Sequence, residues 1–397
     1  MDEPDWLAEA RRLATAFAAR AAQHDRDGSF PFENFEDLRA ASFLKLTVAR
    51  EHGGFAAPLT TYLRVQEELA AGDGSTALAF MMHAKIFGQQ RDGPTWPAHW
   101  MEEFSRGAVD HSWLVNTIAT EEGLGSPAGG GLPDTVAEPD GDGWAITGRK
   151  TFSTMAPLLK YFVVLARVDG PAGPELASFV VYREDPGFRI DETWDALGMR
   201  ATGSHDVVLE RCRIPLGRLV VRGALGQPNA RSAAGTVWFA LGVAATTLGV
   251  GRAARDYAVA FAKERAPNAL NPNSPVDSTP RTISGYPGVR MRVARIDLLL
   301  QRSRALIDDA ARTWAAERGG AVPEAAGMSA INRVAVAKVD TLNNCIEAVD
   351  LAMRIVGGVG LLKSRPLERY YRDVRAGLHN PPLEDRALEM LARAAFE

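Results

Sequence analysis

The hydrophobic periodicity changes twice along the chain, and this order of patterns is the strongest constraint on its fold. Up to about residue 111, apolar residues recur at helical spacing, as they do from Trp6 to Ala18. Short β-branched runs follow, and DGDG at 140–143 is a strong hairpin signal between two of them. From Ser232 onward, long helical segments return. We therefore predict an α+β fold, mostly α, with an N-terminal helical domain at 1–111, a middle antiparallel β domain at 112–225 and a C-terminal four-helix bundle at 226–397.

The elements within these blocks follow from the same patterns. Early helices are predicted at 59–71 and 75–90, and Pro31 suits the first turn of another helix. The predicted strands are 114–120, 134–139, 144–154, 161–168, 177–183 and 206–214, and the predicted bundle helices are 232–265, 288–317, 325–356 and a shorter pair after 364.

Length, charge and cysteine content limit the number of domains, the partners and the kinds of site that the chain can have. A chain of 397 residues exceeds what one hydrophobic core usually fills. With 45 basic and 49 acidic side chains the net charge is -4, which argues against a nucleic-acid partner held by bulk attraction. Cys212 and Cys345 are far apart, so we expect no disulfide framework and no metal site, and a cytoplasmic location. The acidic N-terminus does not resemble a signal peptide, and the apolar run at 235–251 is predicted to be a buried helix, so we expect no membrane partner.

Five longer stretches carry a resemblance to a known family. They are HGGFAAPLTTYLRVQEELAAGDGSTALAF at 52–80, ATEEGLGSP at 119–127, ITGRKTFST at 146–154, LGMRATGSHDVVLERCRIP at 197–215 and IVGGVGLLKSRPLERYYRD at 355–373. In this order, and over nearly the whole chain, they resemble the acyl-CoA dehydrogenase family. The resemblance implies the same three domains, FAD bound between the β domain and the bundle, and a homodimer or homotetramer.

The resemblance also implies contacts with the flavin from the middle domain. Thr120 and Ser126 would lie against the flavin, and Ser126 would also face the substrate, although the segment alone reads as a flexible glycine-rich loop. Pro127 stands where the family usually has Asp. Phe152 would lie beside the isoalloxazine ring and Thr154 near flavin N5, although TFST alone reads as the end of a strand.

Three further residues are implied to approach the FAD phosphates across a subunit boundary. Arg265 matches the first residue of the family pattern R-x-x-F-G, but the phenylalanine and glycine of that pattern are absent here. Gly357 and Gly358 belong to GGVG, which could equally be the cap of a helix C-terminus.

The usual catalytic base of the family is missing. In the dehydrogenase reaction a carboxylate removes the α-proton of an acyl thioester while hydride moves to flavin N5, and a positioned base contributes on the order of 10²–10⁴ in rate. The family usually places a Glu eight residues after the Asp of its R-D pair, and counting from Asp373 gives Pro381. Some members carry the Glu on the first bundle helix instead, where this chain has Phe239.

Residues near the tetrad HNPP at 379–382 are the remaining candidates for moving a proton. His379 has a side chain suited to proton transfer, or it is a hydrogen-bonded turn residue. Glu384 and Asp385 follow the tetrad, or they are simply favourable charges at the start of a helix. His83 matches a position that can approach the substrate, or it is a packed helix residue.

Three functions are open. The first is α,β-dehydrogenation of an acyl thioester, carried by CoA or a carrier protein, with hydride transfer to flavin N5. The second is flavin-dependent monooxygenation with reduced flavin and O₂, because monooxygenases of this fold lack the Glu and can carry a His in an L-H-x-P context similar to LHNP at 378–381. The third is a non-catalytic binding protein. The resemblance implies an electron-transfer flavoprotein or a flavin reductase as the redox partner.

Overall fold

The first third of the chain is helical, as its periodicity predicts. The computed structural model describes residues 5–123, 131–171, 173–224, 233–266, 282–319 and 328–396. The first helix begins where the Asp5 carboxylate accepts hydrogen bonds from the backbone N–H groups of Leu7 and Ala8, and it ends at Gly28 in the left-handed conformation. The helices of this part are α1 (Trp6–Asp27), α2 (Phe32–Ala40), α3 (Leu59–Gly72), α4 (Gly74–Asp92) and α5 (Ala98–Asp110).

The middle part of the chain forms one sheet of short strands. The strands are β1 (Leu114–Ile118), β2 (Val136–Asp140), β3 (Gly143–Lys150), β4 (Leu159–Gly170), β5 (Gly173–Val181), β6 (Phe188–Asp191), β7 (Asp206–Pro215) and β8 (Leu219–Ala224). They lie in the order β6-β7-β3-β2-β4-β5-β8, and β1 also pairs with β4. The pairing of Asp140 with Gly143 confirms the hairpin predicted from DGDG.

The sheet differs from the predicted antiparallel domain in two respects. Both β1 and β2 pair with β4 in parallel, and the intervening chain is long enough to return to the same end of the sheet, as parallel pairing requires. The sequence prediction also omitted β6 and β8, which lie at the two edges. The four residues of β6, FRID, do alternate apolar and polar side chains, but four is the shortest run over which alternation indicates a strand.

Long helices return after the sheet. They are α6 (Ala233–Glu264), α7 (Pro287–Arg318) and α8 (Ala330–Val356), followed by the shorter α9 (Pro366–Asp373) and α10 (Glu384–Phe396). Helix α6 packs against α3, α4, α7 and α8. Among the described residues it is also the one helix long and apolar enough to cross a membrane, but 78% of its most apolar window is buried inside the protein. We therefore interpret α6 as the central core helix.

The three parts of the chain share buried contacts. A continuous apolar cluster contains residues from the early helices, the sheet and the bundle. The Asp92 carboxylate at the end of α4 accepts hydrogen bonds from the indole N–H groups of Trp238 and Trp314 and from the guanidinium of Arg318. The predicted boundary at 111/112 lies between α5 and β1, and the boundary at 225/226 lies outside the described residues.

Candidate active site

An exposed aromatic ring marks the end of β3. Phe152 has a left-handed backbone conformation with φ of 54°, which is uncommon for a bulky side chain, and it is 62% exposed. Its ring meets the ring of Trp194 edge to face, with centroids 5.5 Å apart. Backbone strain and an exposed apolar ring together are features of a binding site. Trp194 was not predicted, because nothing in the sequence links it to Phe152.

The strand β1 and the loop after it lie directly beside this turn. The backbone N–H of Thr151 donates to the carbonyl oxygen of Thr120 at 2.9 Å. The buried side-chain amide of Asn116 donates to the carbonyl oxygen of Thr154 at 3.0 Å. The structure thus brings Thr120, Phe152 and Thr154 together, and Asn116 is a residue of this site that sequence reasoning missed.

A chain of hydroxyl groups fixes the orientation of the Thr154 side chain. The Thr154 Oγ1 atom lies 2.9 Å from Ser204 Oγ, which lies 2.7 Å from Thr202 Oγ1. Thr202 Oγ1 donates to the carbonyl oxygen of Met199, which can only accept. The protons are therefore ordered so that Thr154 donates to Ser204 and Ser204 donates to Thr202. Thr154 Oγ1 is left with lone pairs that can accept a further hydrogen bond.

A buried ion pair anchors the loop that carries Thr120. The Lys150 ammonium donates to the Glu121 carboxylate at 2.5 Å, and both side chains are almost wholly inaccessible. Glu121 also accepts from the backbone N–H and hydroxyl of Thr135 and from the backbone N–H of Asp134. Burial opposes ionisation, but the hydrogen bonds from Lys150 and Thr135 outweigh it and lower the pKa of Glu121. The loop is therefore held firmly to β3.

The glycines predicted to approach phosphate groups are accessible. Gly357 ends α8 with φ of 70°, and a Cβ atom added at Gly357 or Gly358 would meet open space. Arg265 is exposed just after α6, and its carbonyl oxygen accepts from Ile283. No described contact joins these three residues to Phe152, and the resemblance places them across a subunit boundary. The predicted contact Ser126 lies outside the described residues.

His83 is a core residue in this structure. It is fully buried, and its two ring nitrogens are used by the carbonyl oxygen of Leu44 and the backbone N–H of Val115. Because Val115 donates to Nδ1, the neutral ring donates from Nε2 to Leu44. Burial lowers the pKa of His83 to about 4. These contacts leave no free nitrogen for the predicted substrate contact, so the alternative interpretation as a packed helix residue is the better one.

The HNPP turn, which contains His379 and is followed by Glu384, lies against α8. His379 is exposed at the end of a short 3-10 helix. Glu384 is exposed at the start of α10 and accepts from the side-chain amide of Asn343. Lys338 on α8 is buried and donates to the carbonyl oxygen of Pro382 at 2.9 Å. No described contact joins His379 or Glu384 to Phe152, Thr120 or Thr154.

Lys338 is a further residue that sequence reasoning missed. Burial lowers its pKa to about 8, although the Glu384 carboxylate opposes this shift. Its hydrogen bond to the carbonyl oxygen of Pro382 holds the HNPP turn against α8, so Lys338 positions the tetrad. The only signal in the sequence was a lysine on the apolar face of a predicted helix.

The polar groups around Phe152 fit the planar ring of a flavin. The Thr151 and Ser153 hydroxyls and the Asn116 side-chain oxygen are buried and have no hydrogen-bond partner among the described residues. Buried polar atoms of native proteins are normally satisfied, so such a cluster indicates a missing partner. An exposed aromatic ring, unpaired polar atoms and the acceptor Thr154 Oγ1 are together suited to a heteroaromatic ring with a polar edge.

Comparison with known proteins agrees with this geometry. Sequence models of the acyl-CoA dehydrogenase N-terminal, middle and C-terminal domains match residues 2–93, 116–212 and 241–380. The YdbM protein of Bacillus subtilis strain 168, provisionally named an acyl-CoA dehydrogenase, is 38% identical over 99% of this chain and 97% of its own length. The chain belongs to the acyl-CoA dehydrogenase family.

One relative of this acyl-CoA dehydrogenase family member has a different reaction in its name, and two solved structures share the fold. L-evernosamine nitrososynthase of a Micromonospora species is 32% identical over 91% of this chain and 82% of its own length. The structure of KijD3 with FMN and dTDP-3-amino-2,3,6-trideoxy-4-keto-3-methyl-D-glucose is 29% identical, with a TM-score of 0.82 and coverage of 100% of this chain and 95% of that one. Butyryl-CoA dehydrogenase of Megasphaera elsdenii, at 19% identity and a TM-score of 0.83 with full coverage of both chains, shares the fold.

Proposed function

We propose that this protein is a flavin-dependent monooxygenase that uses reduced flavin and O₂ to oxygenate a small molecule. The observation that carries the proposal is the HNPP turn, where the position of the usual catalytic carboxylate is Pro381. The second position used in the family is Phe239 on α6. A dehydrogenase needs a base within reach of the α-proton, whereas oxygen transfer from reduced flavin does not.

The backbone of the turn supports the same proposal. Pro381 and Pro382 have no N–H group, so neither can donate to the carbonyl oxygen of a thioester. The carbonyl oxygen of Pro382 is itself occupied by Lys338. The turn therefore lacks the usual carboxylate base and, at its two prolines, the N–H donor that thioester dehydrogenation would require from it.

The residues around Phe152 would hold the flavin. Bound flavin supplies the electrons for reducing O₂. The Phe152 ring would pack against the isoalloxazine ring, and Thr154 Oγ1 would accept a hydrogen bond from the N–H that only reduced flavin carries at N5. Thr120 would support the turn through its carbonyl oxygen. We predict FAD from the family resemblance, and because KijD3 was solved in complex with FMN, the identity of the flavin released on denaturation is worth measuring.

The nitrososynthase relatives also favour oxygenation, because the name of the 32% identical L-evernosamine nitrososynthase denotes formation of a nitroso group, which adds oxygen to nitrogen. A flavin reductase would then supply reduced flavin. Dehydrogenation of an acyl thioester, with an electron-transfer flavoprotein as partner, is the second candidate. It is favoured by the acyl-CoA dehydrogenase name of YdbM and by the TEEGLGS and LGMRATGS segments.

One pair of measurements separates the two candidates. The purified holoprotein is titrated anaerobically with a series of acyl-CoAs while flavin absorbance is followed, and it is then supplied with a flavin reductase, NADH and O₂ together with candidate substrates. We expect no bleaching by any acyl-CoA and substrate-dependent oxygen incorporation from ¹⁸O₂. Bleaching by an acyl-CoA, with formation of the enoyl product, would refute the proposal and establish the dehydrogenase.

We further propose a homodimer or homotetramer in the cytoplasm. The exposed positions of Arg265, Gly357 and Gly358 leave them free to complete a phosphate site in a neighbouring subunit. Light scattering at micromolar concentration should give two or four chains per particle. A monomer that retains tightly bound flavin would contradict the shared site.

A further inference from the structure

The segment at 197–203 joins the bundle to the candidate active site. On the bundle side it lies tightly against α9, because a Cβ added at Gly198 would come within 2.6 Å of the carbonyl oxygen of Arg372. On the sheet side, the backbone N–H of Met155, in the turn after β3, donates to the carbonyl oxygen of Thr202 at 3.0 Å. A change on α9 can therefore reach the site through this segment.

Met199, in the middle of the segment, has an unusual backbone conformation. Its φ of 53° and ψ of 37° are left-handed, which costs free energy for a residue with a side chain. Its N–H donates to the Asp373 carboxylate at 2.6 Å. Its carbonyl oxygen accepts from the Trp194 indole N–H and from the Thr202 hydroxyl, both at 3.0 Å. These three hydrogen bonds stabilise the unfavourable conformation.

The hydrogen bond from Met199 is the short polar contact of Asp373. The Asp373 side chain is buried on α9, and among the described residues no other group donates a hydrogen bond to it. The Arg369 Nε atom lies 4.0 Å from Asp373 Oδ2, which is an ion pair but too long for a hydrogen bond. Loss of the Asp373 acceptor would leave the Met199 N–H buried without a partner, which is costly. Asp373 thus holds the Met199 peptide in place.

The two donors to the Met199 carbonyl oxygen both belong to the candidate active site. The Trp194 ring meets the Phe152 ring edge to face. Thr202 ends the chain of hydroxyl groups that begins at Thr154. Because a carbonyl oxygen can only accept, its position at the end of this chain makes every hydroxyl donate toward it. Thr154 Oγ1 therefore presents lone pairs, and no proton, on its free side.

We infer that Asp373 is a positioning residue: by holding Met199, it keeps Thr154 as a hydrogen-bond acceptor and so makes the site bind reduced flavin more tightly than oxidised flavin. Reduced flavin carries an N–H at N5 that Thr154 can accept, whereas N5 of oxidised flavin is itself an acceptor. Without the Met199 carbonyl oxygen in place, the hydroxyl chain would lose its fixed direction. The inference rests on the proposed function, because an oxygenase supplied by a flavin reductase takes up reduced flavin.

The potential of the bound flavin tests this preference without turnover. Anaerobic reductive titration of the holoprotein against a reference dye measures that potential, and its difference from the potential of the same flavin free in solution gives the ratio of the affinities for reduced and oxidised flavin. We expect a ratio above one in the wild-type protein. Asp373→Leu should lower the ratio by about two- to tenfold, the effect of one hydrogen bond. Asp373→Asn keeps an acceptor oxygen and should retain the wild-type ratio.

Two further variants test the path from Asp373 to Thr154. Gly198→Ala alters no charge, but its Cβ would force the segment away from α9, so it should lower the ratio even if Asp373→Leu does not fold. Thr202→Val removes the hydroxyl that donates to Met199 and should also lower the ratio. Combining Thr202→Val with Asp373→Leu or, if that variant does not fold, with Gly198→Ala should lower it no further, because both changes break the same path.

Asp92→Asn is the matched control, since Asp92 is also a nearly inaccessible carboxylate that joins the N-terminal helices to the bundle, but it binds Trp238 and Trp314. It should leave the ratio unchanged. Circular dichroism and flavin content show which variants are folded.

The inference is overturned if the wild-type ratio does not exceed one, or if Gly198→Ala or a folded Asp373→Leu variant keeps the wild-type ratio. It is also overturned if Asp373→Asn lowers the ratio as much as Asp373→Leu, or if the fold-changes multiply in the double variant. A protein that oxygenates no substrate but whose flavin preference depends on Asp373 would refute the monooxygenase function alone. Oxygenation with a preference independent of Asp373 would refute this inference alone.

Discussion

Replacement of Lys150 by methionine should destabilise the protein and weaken its flavin binding together. The substitution removes the cation that neutralises Glu121 while filling a similar volume with an apolar chain. Breaking a buried ion pair typically costs about 3–5 kcal/mol because the remaining charge is left buried without its partner. Glu121 would keep three donors, from Thr135 and Asp134, so we expect the lower end, about 3 kcal/mol. The loop that carries Thr120 would lose its anchor on β3.

Urea denaturation followed by tryptophan fluorescence measures the stability, and titration of the apoprotein with FAD measures the affinity. Lys160→Met is the control, since Lys160 pairs with Glu184 at the surface with 29% and 65% of the two side chains exposed. An exposed pair is worth at most about 1 kcal/mol. Adding Glu121→Gln to Lys150→Met should recover part of the lost stability, because a buried amide costs less than a buried carboxylate. If Lys150→Met costs no more than Lys160→Met, the argument from the buried pair is wrong.

Three further predictions concern other parts of the site. Burial raises the pKa of Asp373 to about 7, so the protonated side chain stabilises the fold at low pH and this stabilisation is lost as the pH rises through 7. Asp373→Asn should reduce the pH dependence of the free energy of unfolding, measured by urea denaturation between pH 5 and 8. Phe152→Ala should change stability by less than about 0.5 kcal/mol because the ring is exposed, yet weaken FAD binding measured by flavin fluorescence, and unchanged affinity would remove Phe152 from the flavin site. If His379 moves a proton, His379→Ala should slow product formation by about tenfold or more with flavin still bound. Glu384→Gln should not slow it, because Glu384 is held by Asn343, and equal rates in both variants would make His379 a turn residue.

The fold could be predicted from sequence wherever burial leaves a periodic trace. Helices α6 and α7 begin and end within a residue or two of the prediction, because α7 buries one face over many turns and α6 contains a long apolar run that is buried on all sides. The parallel pairing of β1 and β2 with β4 could not be predicted, since it depends on which strands meet after the chain returns.

The site shows the same division between local and distant information. The resemblance identified Thr120, Phe152 and Thr154, and the structure brings them together. It did not identify Asn116 or Lys338, whose roles come from contacts with residues far away in sequence. The sequence alone does not distinguish a buried lysine from a solvated one, because burial depends on how the rest of the chain packs around it.

The hydrogen bonds at Asp92 determine how this protein could be cut into pieces. A fragment ending at the predicted boundary 111/112 would carry the Asp92 carboxylate without its donors from the bundle, and the remaining chain would expose the indoles of Trp238 and Trp314. Each piece would expose groups that are buried in the intact protein, so domain truncations should be insoluble when they are expressed alone. The same complementarity should let the two fragments reassemble when they are produced together, and a split protein of this kind would report on its own assembly by turning yellow.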